Sequence, residues 1–147
     1  MFIIDILNSI IDYLDNGKTN YFPSVKTIDS YKGQLADAMQ NKQLIKLADP
    51  LPAVYALMIE DNPISEEPLH RIDLLICAES KSFNKDEKQT AAFSAAAGIS
   101  KYINENQGWT YLNSPYIIDK EQFKIITLLS DNRYTILSAN LFIKNLK

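Results

Sequence analysis

Apolar residues recur along the chain with two different periods, and the period separates predicted helices from predicted strands. Residues 2–14 carry isoleucine and leucine at the spacing of a helix with one broad buried face. Asp15, Asn16 and Gly17 follow, and they tolerate positive φ, so the pattern predicts that this helix ends there. Residues 25–31 indicate a short edge strand, and residues 34–47 favour a second helix with looser periodicity.

Two apolar runs in the middle of the chain predict two strands. Residues 51–59 are nearly all apolar, as expected of a strand covered on both faces. Residues 72–79 alternate, so that Asp73 and Glu79 share the face opposite an apolar one formed by Ile72, Leu74, Ile76 and Ala78. The acidic, proline-containing residues 62–68 between the two runs predict a loop.

A third helix is predicted over residues 84–106. Asn84 and Glu87 have the spacing of a capping box, and Gly108 is a stop signal. The buried face of this helix is predicted to be rich in small side chains, and consists of Ala92, Ala95, Ala96, Ile99, Tyr102 and Ile103. Small side chains allow a helix axis to approach a sheet closely, so we expect the helix to lie flat on the strands.

The last part of the chain predicts a β-hairpin and completes the fold class. Residues 123–129 and 133–143 alternate with period two on either side of Ser130, Asp131 and Asn132. The order helix, strand, helix, two strands, helix, two strands predicts a single α+β domain over residues 1–147. Its single mixed sheet is expected to be packed by helices on one face.

Composition narrows the class of protein. The 147 residues are 46% hydrophobic, which suits one globular domain. The 15 Lys and Arg against 18 Asp and Glu argue against a dedicated nucleic-acid binder. The N-terminus lacks a basic region, and no apolar stretch reaches the roughly 18 residues of a membrane span, so we expect a soluble intracellular protein. A single cysteine (Cys77) and a single histidine (His70) exclude a disulfide framework and a His-rich metal cage.

The strongest chemical candidate is the sequence Glu79-Ser80-Lys81 at the end of a predicted strand. Metal-dependent nucleases use a Glu-x-Lys pair of this kind with a second carboxylate, here Asp61 or Asp73, to hold Mg²⁺ while the lysine positions water. The competing interpretation is that Glu79 and Lys81 are polar residues where a strand meets solvent. A third hypothesis is a small intracellular binding or immunity-type module whose acidic residues 61–67 meet a basic partner.

The other candidates have simpler explanations. Gly17-Lys18-Thr19 lacks the earlier glycine of a phosphate-binding loop, because Asp12 stands at that position, and is predicted to be a surface turn. His70 is predicted to be an exposed loop residue, and Cys77 a small hydrophobe within a strand. Trp109, Tyr111 and Tyr116 are expected to pack at the edge of the core rather than to bind a partner. No catalytic, cofactor-binding or metal-binding residue is assigned.

The arrangement of these elements resembles that of a known family. The resemblance begins at Leu51-Pro52-Ala53-Val54 and continues through Ile72-Asp73-Leu74-Leu75-Ile76 and the alanine-rich helix over residues 91–103. The N-terminal apolar helix, the segment ending in Tyr31-Lys32-Gly33 and the C-terminal hairpin from Phe123 onward also match. In this order the chain resembles the small tail-completion, or tail terminator, proteins of Mu-like contractile-tailed phages over most of its length.

The resemblance implies a structural protein of virion assembly, with no enzymatic turnover and no cofactor. A tail terminator caps the head-proximal end of the tail tube and sheath, stops their polymerisation and helps to join the head. The implied partners are further copies of this chain in a hexameric ring, the tube and sheath proteins, and the head–tail connector, with neither specific nucleic-acid binding nor a membrane. The implied location is the host cytoplasm during assembly and then the tail of a phage, prophage or phage-like particle. The net charge of −3 is a departure, and with it any lumen of the ring would have to be tolerant of DNA and not adhesive to it.

Overall fold

In the computed structural model, the described residues are 3–36, 48–62, 69–79, 85–130 and 133–146. Residues 34–47, where the sequence predicts a helix, fall mostly outside these ranges, as does the cap predicted at Asn84. The elements in chain order are α1 (Ile3–Tyr21), β1 (Thr27–Ser30), β2 (Ala53–Asn62), β3 (Leu69–Glu79), α2 (Lys85–Glu105), β4 (Gly108–Tyr111), β5 (Ser114–Ile118), β6 (Lys124–Ser130) and β7 (Tyr134–Asn145).

All of these strands belong to one mixed sheet. Its order is β1-β2-β3-β7-β5-β4, with β6 also paired to β7. Strand β1 runs parallel to β2, and the other pairs are antiparallel. Strand β7 pairs with β3 along one edge, while β6 and β5 follow each other along its second edge. The predicted α+β class with a single mixed sheet is confirmed.

Helices α1 and α2 cover one face of the sheet and form the main core with it. The alternation predicted for β3 is confirmed, because Ile72, Leu74 and Ile76 point into this core. The predicted face of α2 is buried as well, at all six positions: Ala92, Ala95, Ala96, Ile99, Tyr102 and Ile103. Alanine at the contact brings the backbone of α2 close to the strands, which is the packing that the sequence predicted.

The opposite face of the sheet carries a second, smaller cluster at one end. It is made by Leu35, Ala53, Tyr55, Leu75, Cys77, Tyr134 and Ile136. Strand β2 is therefore buried on both faces, since Val54 and Ala56 lie in the main core while Ala53 and Tyr55 lie in the second. This confirms the expectation drawn from its nearly continuous apolar sequence.

The predicted end of α1 at Asp15, Asn16 and Gly17 is wrong, because the helix continues to Tyr21. Gly17 does not end the helix but allows α1 to pack closely against α2. A Cβ atom built there would overlap the ring of Tyr102 on α2. Gly98 on α2 plays the reciprocal part, since a Cβ atom there would overlap the carbonyl oxygen of Tyr21. The two glycines allow α1 and α2 to cross with almost no space between them. Gly17-Lys18-Thr19 lies inside α1 and is not the surface turn that was predicted.

Strands β4 and β5 form a hairpin that the sequence did not predict. The turn between them places Leu112 at φ 49° and Asn113 at φ 63°, the left-handed conformations that a two-residue hairpin turn requires. The other C-terminal hairpin was predicted, and β6 and β7 pair antiparallel as expected, with β7 running on to Asn145.

Candidate functional site

The strand positions of the acidic residues in the nuclease hypothesis lie far apart. Glu79 ends β3 opposite Tyr134 of β7, whereas Asp61 pairs with His70 near the start of β3. Nine residues of extended strand separate these positions by about 30 Å, and the six residues from Asp73 to Glu79 span about 20 Å. Ligands of one Mg²⁺ ion lie about 2 Å from it, so Glu79 cannot share an ion with Asp61 or Asp73. Lys81 lies outside the described residues.

Within the described residues, no three His, Cys, Asp or Glu side chains are grouped as a metal site would require. The polar surroundings of Glu79 are an open cleft of about 310 Å³, which is lined by Lys26, Asp49, Leu51, Tyr134 and neighbouring residues. The Tyr55 hydroxyl donates a hydrogen bond to Asp49 Oδ2 at 2.8 Å. Burial and this hydrogen bond raise the pKa of Tyr55 above its ordinary value, so the phenol stays protonated. The hydrogen bond to Asp49 therefore holds the segment that precedes β2 against the sheet.

Asp73 belongs to a polar patch on the sheet face opposite α1 and α2, and Asp73, Ser138 and Asn140 of this patch are buried. Arg71 Nε donates to Asp73 Oδ1 at 3.3 Å, and Asn140 lies opposite Asp73 on β7. Ser138 Oγ donates to Asn140 Oδ1 at 3.1 Å, and both residues are almost fully buried. Burial raises the pKa of Asp73, and the guanidinium of Arg71 acts against this shift. The patch therefore consists of polar side chains on the paired strands β3 and β7, and the ion pair between Arg71 and Asp73 lies at its rim.

The aromatic residues Trp109, Tyr111 and Tyr116 pack as predicted. Tyr116 is buried in the main core, and the other two lie against it. The Trp109 ring stacks on Tyr116 with centroids 5.5 Å apart and contacts Tyr13 at 4.4 Å. Trp109 Nε1 donates to Ser9 Oγ at 2.7 Å, which satisfies the one polar atom of the indole. These contacts fix the β4–β5 hairpin to α1.

The predictions for the single histidine and the single cysteine compare differently with the structure. His70 is a buried residue of β3 with 3% exposure, so its prediction as an exposed loop residue is wrong. The strand begins earlier than the apolar alternation suggested, and position 70 continues the buried face of Ile72 and Leu74. Cys77 is buried in the second cluster, as predicted. Burial raises the pKa of its thiol to about 12, which keeps it protonated and unreactive.

The edges of the sheet differ in how their backbone groups are satisfied. At β1, the Ser30 N–H donates to Asp29 Oδ1 at 2.8 Å, and Gln34 Nε2 donates to the Ser30 carbonyl at 3.0 Å. Side chains therefore cap this edge. Among the described strands, β6 pairs only with β7, and it exposes Ile126 and Leu128, at 44% and 40%. The alternating pattern of residues 123–143 predicted the pairing of β6 with β7. It carried no information about the other edge of β6.

No family model and no curated protein matches this chain. Among the described helices, neither has the length and apolar character that crossing a membrane requires. The functional conclusion therefore depends on the order of the elements and on the surfaces that they present.

Proposed function

We propose that this chain is a structural tail terminator of a contractile-tailed phage, prophage or phage-like particle, and that it has no enzymatic turnover. The observation that carries the proposal is the order of elements along the chain. A long N-terminal helix precedes a strand that starts after Leu51-Pro52, then come β3, the alanine-rich α2 and the C-terminal antiparallel strands. This is the order in which the sequence resembles the tail-completion proteins of Mu-like phages.

The packing of the chain suits a cap. A protein that stops polymerisation must hold its contact surfaces in a fixed relation while the tube end presses on them. Here α1 and α2 cross closely on one face of the sheet. The aromatic contacts of Trp109 with Tyr13 and Tyr116 hold the β4–β5 hairpin against the same face. We expect the contacts with the next copy, the tube and sheath proteins and the head–tail connector to be made by residues that stay exposed outside this packed core.

A cap must also match the symmetry of the tube, and we propose a hexameric ring. Closed rings form when one patch meets a different patch on the next copy. The unlike patches predicted from the sequence are the acidic residues 61–67 and the lysines at positions 81, 85 and 88. The side chains of these residues lie outside the described part of the chain, so the polarity of the ring stays a prediction. Because the chain has a net charge of −3, the lumen of such a ring would have to tolerate DNA without adhering to it.

Assembly of tails with and without the chain tests this proposal. Tube and sheath proteins encoded beside this chain are co-expressed, and tube lengths are measured by electron microscopy. We expect overlong tubes of variable length when the chain is omitted, and a single length class when it is supplied. Tubes of the same length distribution under both conditions would refute the assignment.

A further inference from the structure

The β4–β5 hairpin presents an uncharged surface on a chain that is otherwise rich in charge. Residues 106–118, which contain both strands and the turn, include no Asp, Glu, Lys, Arg or His, although 22% of the chain is charged. The two most exposed large apolar side chains of the described residues lie here. They are Leu112, which is 74% exposed at the turn, and Leu146, which is 50% exposed and donates its N–H to the Pro115 carbonyl at 2.9 Å. A surface poor in charge and rich in aromatic and apolar residues has the composition of the centre of a protein–protein interface.

The turn of the hairpin carries a leucine at a position that does not suit leucine. Leu112 has φ 49° and Asn113 has φ 63°, so both residues adopt left-handed conformations. Asparagine, aspartate and glycine adopt these conformations at a lower cost than leucine does. Because Leu112 is mostly exposed, it also gains little from burial in the folded chain. A residue that is unfavourable in its turn and adds little to the core favours a role in binding.

The hairpin is ordered before it binds anything. Trp109 stacks on Tyr116 and donates to Ser9 Oγ at 2.7 Å, so β4 is fixed to α1. At the other end of the hairpin, the Ile118 N–H donates to the Gln107 carbonyl at 2.9 Å, and β5 pairs with β7. A surface that is held in this way loses little conformational entropy when a partner docks on it.

The size and the charge of this surface favour a second copy of the chain as its partner. Residues 108–118 and Leu146 make up half or less of the roughly 20–30 residues that each partner contributes to a stable interface. A contact of this size is weak by itself, and it becomes strong when it is repeated around a closed ring. Two copies with a net charge of −3 repel each other, and an uncharged surface allows them to approach with the least repulsion.

We propose that the hairpin surface, which consists of residues 108–118 and Leu146, is where one copy of this chain docks on the next. The inference rests on the proposed function, because it names the contact between the copies of the ring. Removal of Leu112 and Leu146 from water supplies the affinity of this contact. The charged residues at positions 61–67, 81, 85 and 88 then set the orientation of the copies, since surface ion pairs add little affinity.

Light scattering over a concentration series tests the contact. We expect the mass of the wild type to rise above 16.7 kDa as its concentration increases. Leu112→Asn and Leu146→Asp should each raise the concentration at which half of the chain is associated about tenfold. Phe93→Asp is the matched control, because Phe93 is 41% exposed on α2, away from the hairpin, and this variant should associate like the wild type.

Leu112→Asn separates binding from folding. Because asparagine suits the left-handed turn, the unfolding midpoint of this variant should stay the same or rise while its association weakens. A wild-type chain that stays monomeric at every concentration would overturn the proposal. Hairpin variants that associate like the wild type would also overturn it, as would a Phe93→Asp control that weakens association equally.

Tube length is measured in parallel with the same variants, so that the two proposals can fail separately. If the wild type sets tube length and the hairpin variants associate unchanged, the hairpin contact is wrong and the tail terminator proposal is not. If the hairpin variants weaken association but the wild type has no effect on tube length, the tail terminator proposal is wrong and the hairpin contact is not. Hairpin variants that associate normally and lose control of tube length would assign this surface to the tube protein and overturn the inference.

Discussion

Gly98→Ala tests the close crossing of α1 and α2. In an unobstructed helix interior this change would stabilise the protein by about 1 kcal/mol, because alanine is the better helix former. In this chain the new Cβ would lie 3.0 Å from the carbonyl carbon of Tyr21 and 3.1 Å from Phe22 Cβ, and closer still to the Tyr21 oxygen. The obstructing atoms are mostly backbone, so relief requires the end of α1 to move. Overpacking of this kind costs about 1–3 kcal/mol.

We therefore expect Gly98→Ala to lower the free energy of unfolding by about 1–2 kcal/mol, in place of the usual gain. For a chain of this size the unfolding midpoint should fall by roughly 2–8 °C, which calorimetry measures directly. Ala97→Gly at the exposed neighbouring position is the control, because it isolates helix propensity and should cost about 1 kcal/mol. If Gly98→Ala raised the midpoint by as much as Ala97→Gly lowers it, the helices could not cross as closely as described.

Three further predictions follow from the site and the core. Ala96→Leu should overpack the contact of α2 with the sheet and cost about 1–3 kcal/mol in urea unfolding; an unchanged midpoint would mean that this face is exposed. Because burial raises the pKa of Asp73, its ionisation opposes folding, so wild type should lose stability relative to Asp73→Asn as pH rises from about 4 to 7; a constant difference would contradict this. Plasmid DNA incubated with the protein and Mg²⁺ or Mn²⁺ should stay intact, and cleavage that Glu79→Ala abolishes would reverse this conclusion.

The main core was predictable from the sequence because its pattern is local. The alternation of Ile72, Leu74 and Ile76 and the alanine face of α2 each follow from the spacing within one element. The role of Gly17 was not predictable, since it depends on Tyr102, far away in the chain. The β4–β5 hairpin was also missed, because Leu112 stands where turn sequences usually carry asparagine, aspartate or glycine.

The candidate site illustrates a second limit. Asp61 and Glu79 both come at the ends of apolar strands, and sequence reasoning treated these ends as neighbours. Because β2 and β3 pair antiparallel, Asp61 lies at the end of the pair where the chain passes from β2 to β3, and Glu79 lies at the opposite end. Edge exposure is likewise a property of the assembled sheet. That β6 pairs on one side only, among the described strands, becomes visible only when the positions of β5 and β7 are known.

The position of gold-labelled protein on purified tubes tests the proposal that this chain caps one end of a tail tube. We expect the dilute chain to be a monomer or a small oligomer, and we expect a ring of six copies at one end of each tube. Mass photometry of the ring should give six times 16.7 kDa. Label spread along the tubes, or a chain that never locates to a tube end, would contradict the account.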